Sequence, residues 1–254
     1  MPNTGNTKVN DGDSHEVWGL LPAVAVVTEQ LRLGPLVAPT SVHHPALLAN
    51  RAATIDHVSN GRFVLGLGAG WQINEHVAYG IELEAPKPRV DRFEEAIQII
   101  RALLNEPRTT FEGSVYTITD APCEPKPVQQ QLPILVGTGG NRMLRITARH
   151  AEEWNTWGHP DGAGERLRAM HAACERLGRD PATLHTSVQV AVHLSDDAAA
   201  NAKALEGPLG PRTIAGGANE LIGILNQYRE IGFDEFIVPD WLMGSEPAAR
   251  KEHL

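Results

Sequence analysis

The sequence predicts an α/β protein built on a parallel sheet, and three observations carry that expectation. Short apolar runs bounded by turn residues, such as Phe63–Leu67 and Ile134–Val136, suit strands covered on both faces. Stretches with apolar residues at helical spacing separate these runs, so strand and helix alternate as in βαβ units. Two of the strands end in glycine-rich turns, Gly68-Ala69-Gly70 and Gly137-Thr138-Gly139-Gly140. In α/β proteins ligands bind at the carboxyl ends of strands, where glycine lets them approach the bare main chain.

Residues 1–13 read as a polar loop, and Ser14 reads as the N-cap of a helix carrying Val17, Leu20, Leu21, Val24 and Val27. Leu31–Val37 reads as a short strand, and Pro45 suits the first turn of a helix running to about Val58. After the Phe63–Leu67 strand, Asp91–Leu104 is an amphipathic helix with Phe93, Ile97, Ile100 and Leu104 on one face and Asp91 in its first turn. Thr109–Ile118 reads as a hairpin around Glu112-Gly113, followed by a stiff connection through Pro122, Pro125, Pro127 and Pro133. The region 107–132 is thus an insertion in a single domain spanning residues 1–254.

The alternation then resumes. Ile134–Val136 is a strand, followed by a helix through His150 and a strand at Glu153–Trp157. A helix over 163–177 ends near Gly178, and Thr186–His193 is a strand in which Val188, Val190 and Val192 alternate. A helix over 217–231, ended by Gly232, leads to a last strand at Glu235–Val238. That makes six strands, where a closed (β/α)8 barrel needs eight. The pattern fits a doubly wound open sheet or a barrel lacking its start.

Composition narrows the class of function. A net charge of −9 argues against nucleic acid or an anionic membrane as partner. Cys123 and Cys174 stand far apart without metal spacing, which suits a reducing, cytoplasmic compartment. The opening residues are polar with no signal-peptide core, and no apolar run approaches the length of a membrane span. Eleven histidines raise the question of a metal, but no two fall in a ligand pattern such as His-Glu-x-x-His, so no metal is expected.

An ordered series of motifs goes further. It includes Leu33-Gly34-Pro35-Leu36-Val37, His44-Pro45-Ala46, Ala53–Arg62, Leu65–Trp71, Asn74-Glu75-His76, Tyr79-Gly80-Ile81 and Arg92–Ala96. It continues with Phe111-Glu112-Gly113, Pro125–Gln129, Pro133–Gly137 and Ala151–Asn155. From about Ser14 to Pro239 the chain resembles the luciferase-like flavin-dependent oxidoreductases, in the branch that uses the 5-deazaflavin coenzyme F-420. The resemblance implies an α/β fold of the TIM (β/α)8-barrel type, with the cofactor at the carboxyl ends of the strands and hydride transfer as the chemistry. It also implies a strand, a helix and a second strand ahead of the Ser14 helix, with an Asp-His pair that this chain lacks. On that reading the chain starts late, at an internal methionine, and lacks those first elements.

Each site residue has a functional and a plain reading. Gly137–Gly140 opens a helix, where unpaired N–H groups and the helix dipole favour an anion. The resemblance implies that Thr138, Gly139 and Gly140, with Asn141 and Arg142 close by, hold the cofactor phosphate; the plain reading is a flexible turn. Ala69, Gly70 and Asn74 match cofactor-contacting positions, although Asn74 also suits a local turn cap. Leu36-Val37 matches the place of a non-prolyl cis peptide that bulges behind the cofactor ring. Trp71 stands where some deazaflavin-dependent sugar-phosphate dehydrogenases carry a catalytic glutamate. Indole is no general base, which argues against that reaction; Trp71 then reads as a substrate-pocket wall or, plainly, as a surface-capping aromatic. Trp154 to Trp157 end a strand at the binding face, and Trp157 is expected to meet substrate. Glu75 and His76 could serve as an acid or base, although Glu75 reads better as a solvated or structural carboxylate; His43 and His44 read better as capping or packing groups, and no catalytic residue is assigned.

The expected function is hydride transfer between coenzyme F-420 and a small-molecule substrate. One rival is an FMN-dependent monooxygenase on the same fold; another is a non-catalytic remnant or flavin-binding protein. A homodimer is carried over from the resemblance.

Overall fold

The structure, a computed structural model, describes residues 15–239; Ser14 and the polar loop before it lie outside the described residues. The chain forms two compact units, one ending at Gly137 and the other beginning at Thr138.

In the first unit, helix α1 spans Val17–Val27 and is capped by the Glu16 carboxylate, which accepts from the Gly19 N–H at 2.8 Å. It buries Trp18, Leu21 and Ala25, while Leu20 and Val27 of the expected stripe face solvent. A helix apolar all round does not announce its buried face by periodicity, so the large ring of Trp18 decides it. The expected strand over Leu31–Val37 does not form. Leu33 makes one isolated bridge to Phe63, the Leu36–Val37 peptide is cis, and pairing begins only at β1, Ala38–Pro39. Pro35 has no N–H to give a ladder, and the turn at Leu36–Val37 interrupts the extended run.

Helix α2 spans Pro45–Ser59, with Pro45 in its first turn. His44 caps it through Nδ1, which accepts from the Ala46 N–H at 3.3 Å, and Asn60 closes it at φ 54°. Strand β2, Leu65–Gly68, is buried throughout and lies parallel between β1 and β5, Ile134–Gly137. Helix α3, Ile73–Ala78, is short and carries no readable period. Helix α4, Pro86–Asn105, starts ahead of Asp91 because Pro86 preforms its first turn. It buries Phe93, Ile97, Ile100 and Leu104 as expected, against α2. The hairpin pairs β3, Thr109–Glu112, with β4, Thr117–Ala121.

Polar side chains tie these pieces together. The Arg62 guanidinium donates to the carbonyls of Ala25, Thr28, Leu31 and Ser59, closing the carboxyl end of α1. The buried Asp56 carboxylate accepts from the backbone and side-chain amides of Gln129 at 3.0 and 2.7 Å. Lys126 donates to the Leu103 and Glu106 carbonyls at the end of α4.

In the second unit, α5 (Asn141–His150), β6 (Glu153–Trp157), α6 (Pro160–Glu175) and β7 (His185–Gln189) follow in order. They lead to β8 (Ala191–Leu194), α7 (Ala198–Glu206), β9 (Thr213–Gly216), α8 (Ala218–Ile231) and β10 (Glu235–Ile237). Strands β6, β7 and β10 are parallel neighbours, and β8 pairs with β9. The single strand expected over Thr186–His193 is therefore two, which diverge at Val190 to take different partners. Helix α7 and strand β9 gave no period long enough to read.

One face of β6, β7 and β10 carries Trp154, Val188 and Phe236, which join Leu167, Met170, Leu221 and Tyr228 from α6 and α8 in an apolar core. The other face carries Glu153, Asn155 and Trp157, then His185, Ser187 and Gln189, then Glu235. Strand alternation thus sorts these strands into an apolar side under helices and a polar side.

Candidate functional site

The glycines of the first unit make room for one side chain. A Cβ on Gly68 would lie 2.7 Å from Val37 Cγ2, and one on Gly137 3.2 Å from Val37 Cγ1. A Cβ on Gly66 would lie 1.8 Å from the Pro35 carbonyl oxygen and 3.2 Å from Val37 Cγ1. The Leu36–Val37 bulge is therefore seated on a floor of bare backbone. Gly70 is required twice over: its φ is 90°, and a Cβ there would lie 2.2 Å from Ser41 Oγ. Ala69 beside it is half-buried.

The polar groups after this turn are used in different ways. His76 is buried, with Nδ1 2.7 Å from the Gln72 carbonyl and Nε2 2.9 Å from Ser41 Oγ. A carbonyl can only accept, so Nδ1 carries the proton and Nε2 accepts from the hydroxyl. The ring is a strut between α3 and the segment after β1. Asn74 is half-buried on α3, Glu75 is exposed, and Trp71 stands out with 69% of its surface exposed. His43 packs edge-on against Trp18 and accepts from the indole N–H at 3.4 Å; burial first, then nearby Arg51, holds its pKa below the ordinary value. Neither His43 nor His44 is placed as a catalytic group.

In the second unit, Thr138 is fixed from both sides of its backbone. Its N–H donates to the Asn155 carbonyl at 3.1 Å, and its carbonyl accepts the Trp154 indole N–H at 3.0 Å. The next two residues are the reverse of the packed glycines: a Cβ on Gly139 or Gly140 would meet nothing within 4 Å. Gly140 is the N-cap of α5 and supplies no side-chain acceptor; the first turn holds no acidic residue, and Arg142 lies within it. An exposed helix N-terminus with no acidic residue in its first turn and an arginine among its first residues has a chemistry that suits a phosphate.

Of the four residues Trp154–Trp157, the ends of the quartet divide the work. Trp154 is core material, packed near-parallel on Phe233. Asn155 donates to Ser187 Oγ at 2.9 Å on the polar face. Trp157 is half-buried at the end of β6, with the Arg212 guanidinium 5.1 Å from its ring centre and Arg166 donating to its carbonyl. Burial first, and Arg166 second, lowers the pKa of Arg212. Cys123 and Cys174 are free and buried, and burial pushes both thiols up, away from nucleophilic use. Glu153, His185 and Glu235 lie far apart in sequence and are brought together only by strand pairing, so no local spacing marks them.

A family model described as luciferase-like monooxygenase matches residues 4–230. The chain belongs to the luciferase-like monooxygenase family. A Mycobacterium tuberculosis relative, itself of uncharacterized function, is 31% identical over 183 residues, which is 70% of this chain and 64% of that protein. An F-420-dependent glucose-6-phosphate dehydrogenase of Kineococcus radiotolerans is 30% identical over 193 residues, covering 74% of this chain and 57% of that protein. The chain thus spans under two thirds of the length of these relatives. Among solved structures, an F-420-dependent secondary alcohol dehydrogenase in complex with an F-420–acetone adduct matches with a TM-score of 0.80 at 18% identity, covering 91% of this chain and 80% of that one. A long-chain alkane monooxygenase matches with a TM-score of 0.78 at 15% identity, covering 94% and 71%. These likenesses assign the fold to the luciferase-like TIM-barrel class. Among the described residues, no helix is long and apolar enough to cross a membrane.

Proposed function

We propose that this protein is an oxidoreductase that transfers a hydride between coenzyme F-420 and a small organic substrate. The observation that carries the reading is the open, glycine-lined N-terminus of α5, where Gly139 and Gly140 leave space and Arg142 adds positive charge. Relatives and structural neighbours named as F-420-dependent support the choice of cofactor. When bound, the deazaflavin supplies two-electron chemistry at its C5.

The chain's own residues have distinct tasks in this proposal. Thr138, Gly139, Gly140 and Arg142 bind the cofactor phosphate. Leu36 and Val37 back the ring, with Ala69, Gly70 and Asn74 along its edge. Trp71 and Trp157 meet the substrate and exclude water. Because Trp71 replaces a glutamate that acts as a base in some dehydrogenases of this branch, sugar-phosphate oxidation through that residue is not part of the proposal. Function as a homodimer in the cytoplasm belongs to the same proposal, and light scattering of the purified protein tests the oligomeric part.

Fluorescence titration with F-420 and, separately, with FMN tests the reading. Saturable F-420 binding that falls at least tenfold in Arg142→Ala supports it. The family description and the alkane monooxygenase neighbour favour a second reading, an FMN-dependent monooxygenase. Preferential FMN binding with oxygen consumption by added reduced FMN would move the assignment there, and binding of neither would sink both.

A further inference from the structure

We infer that Glu153, His185 and Glu235 form a binding site for a divalent transition-metal ion, with zinc the best match. The three residues open three neighbouring parallel strands, β6, β7 and β10. Register places Glu153 directly opposite His185, and Glu235 opposite Ser187, two residues along the same face. All three side chains therefore leave the polar side of the sheet, away from the helix-packed core. One ligating atom from each lies within 4.8 Å of the other two. His185 Nε2 and Glu235 Oε2 are already 3.2 Å apart. Zinc bonds of about 2.0–2.2 Å put tetrahedral ligand atoms roughly 3.3–3.6 Å from one another, so small rotamer adjustments close the set.

The chemistry of the donors points the same way. One imidazole nitrogen with two carboxylate oxygens is a borderline set without thiolate, suited to zinc rather than to copper(I). The other imidazole nitrogen, Nδ1, lies 3.8 Å from Asp234 Oδ2. Asp234 is itself held by the Thr186 N–H at 2.7 Å and the Thr186 hydroxyl at 2.9 Å. At 3.8 Å the approach of Asp234 to His185 is a contact and not a hydrogen bond, but it puts a carboxylate on the side of the ring from which metal-bound imidazoles are oriented. A divalent ion held among these carboxylates lowers their mutual repulsion. Glu153 is buried while His185 and Glu235 reach solvent, which gives the ion one deep ligand and an entry side.

The cluster sits at the amino ends of its strands, whereas Trp157 and the Thr138–Gly140 turn lie at or beyond carboxyl ends. Its role is accordingly a clasp that ties β10 to β7 and β6, not part of the proposed cofactor site.

The test uses the tag-free full chain, stripped with EDTA and dialysed, then titrated with Zn²⁺ by calorimetry and with Co²⁺ by visible absorption. The expected result is one equivalent bound, ligand-field bands for cobalt, and a rise of several degrees in the unfolding midpoint. His185→Ala should abolish the bands. Glu235→Gln changes only a solvent-facing carboxylate and should weaken binding at least tenfold, which keeps the test decisive if the histidine variant does not fold. Absence of saturable binding overturns the inference, and so does undiminished metal affinity in Glu235→Gln.

Discussion

Two glycine-rich strand ends in this protein do opposite work. Gly66, Gly68 and Gly137 are glycines because something fills the place of a side chain: the Pro35 carbonyl and Val37 press against them. Gly139 and Gly140 are glycines with nothing in that place. A glycine facing a neighbour is a packing requirement, and its loss is read in stability. A glycine facing solvent at a helix N-terminus carries no packing requirement, so its loss should cost little stability, and under the proposed function it should be read in binding.

The largest effect should come from Gly66→Ala. A methyl group 1.8 Å from a backbone carbonyl oxygen cannot be relieved by rotating a side chain, so the strand itself must move. Overpacking of this kind costs about 3 kcal/mol or more, and chemical denaturation should show it as a fall in midpoint at unchanged slope. Gly139→Ala, by contrast, should stay within about 0.5 kcal/mol of wild type. Equal losses at the two sites would break the comparison.

Arg62→Ala should come next. It removes donors from the Ala25, Thr28, Leu31 and Ser59 carbonyls at once, and the part-buried Ala25, Thr28 and Ser59 acceptors left without partners cost about 1–3 kcal/mol in total. Lys at this position should recover little, because one ammonium cannot reach the spread of acceptors that the guanidinium fork serves. Gly68→Ala should cost somewhat less, since its clash is with a side-chain methyl of Val37. Here a double-mutant cycle sharpens the argument: adding Val37→Ala should restore part of the loss, and additive effects would show that the two residues do not share one space.

Much of the fold was legible because α2, α4, β2, β6, the hairpin and α8 each carry a dense pattern or a clear end signal. Pro45 opens α2, Gly232 closes α8 at φ 111°, and the Phe93–Leu104 stripe of α4 is buried as its spacing requires. The segments that misled were those where tertiary partners override local pattern. Leu31–Val37 has the composition of a strand but makes only one bridge, at Leu33, with Pro35 unable to donate to a ladder, and α3 is too short for a period to show. The same holds at the candidate site. The glycines at both strand ends were visible as residues, but what faces each one was not, because Val37 and Ser41 come from distant parts of the chain. His76 offered two ring nitrogens for catalysis in the sequence; the fold commits both, to Gln72 and Ser41. Trp157 lies on the polar face of the sheet because strand alternation alone puts it there.

A pH-dependent effect follows from Glu95, which holds the hairpin loop by accepting from the Ser114 N–H and hydroxyl and from the Val115 and Tyr116 N–H groups. Burial raises its pKa, but the hydrogen bonds from Ser114, Val115 and Tyr116 outweigh it, and the net shift is downward. A carboxyl with a depressed folded-state pKa contributes stability that is present above its unfolded pKa and is lost as pH falls through the folded value. Glu95→Gln should therefore be less stable than wild type near neutrality and approach it in acid. Parallel stability curves for the two proteins from pH 7 down to pH 3 would remove Glu95 from this role.

The smallest change in stability should be the most telling about the open end. Gly140→Asp places a side-chain acceptor at an N-cap that has none and a negative charge at the positive end of α5. As a cap it should stabilise the fold by about 0.5–1 kcal/mol. A Cβ at that position meets nothing within 4 Å, so no packing cost opposes the gain. The same carboxylate would occupy the N–H groups proposed for the cofactor phosphate and repel it. The expected outcome is a protein that melts slightly later and binds F-420 at least tenfold more weakly. A variant that gains stability and binds the cofactor as well as wild type would mean that the first turn of α5 was never an anion site, and that its glycines serve only to turn the chain.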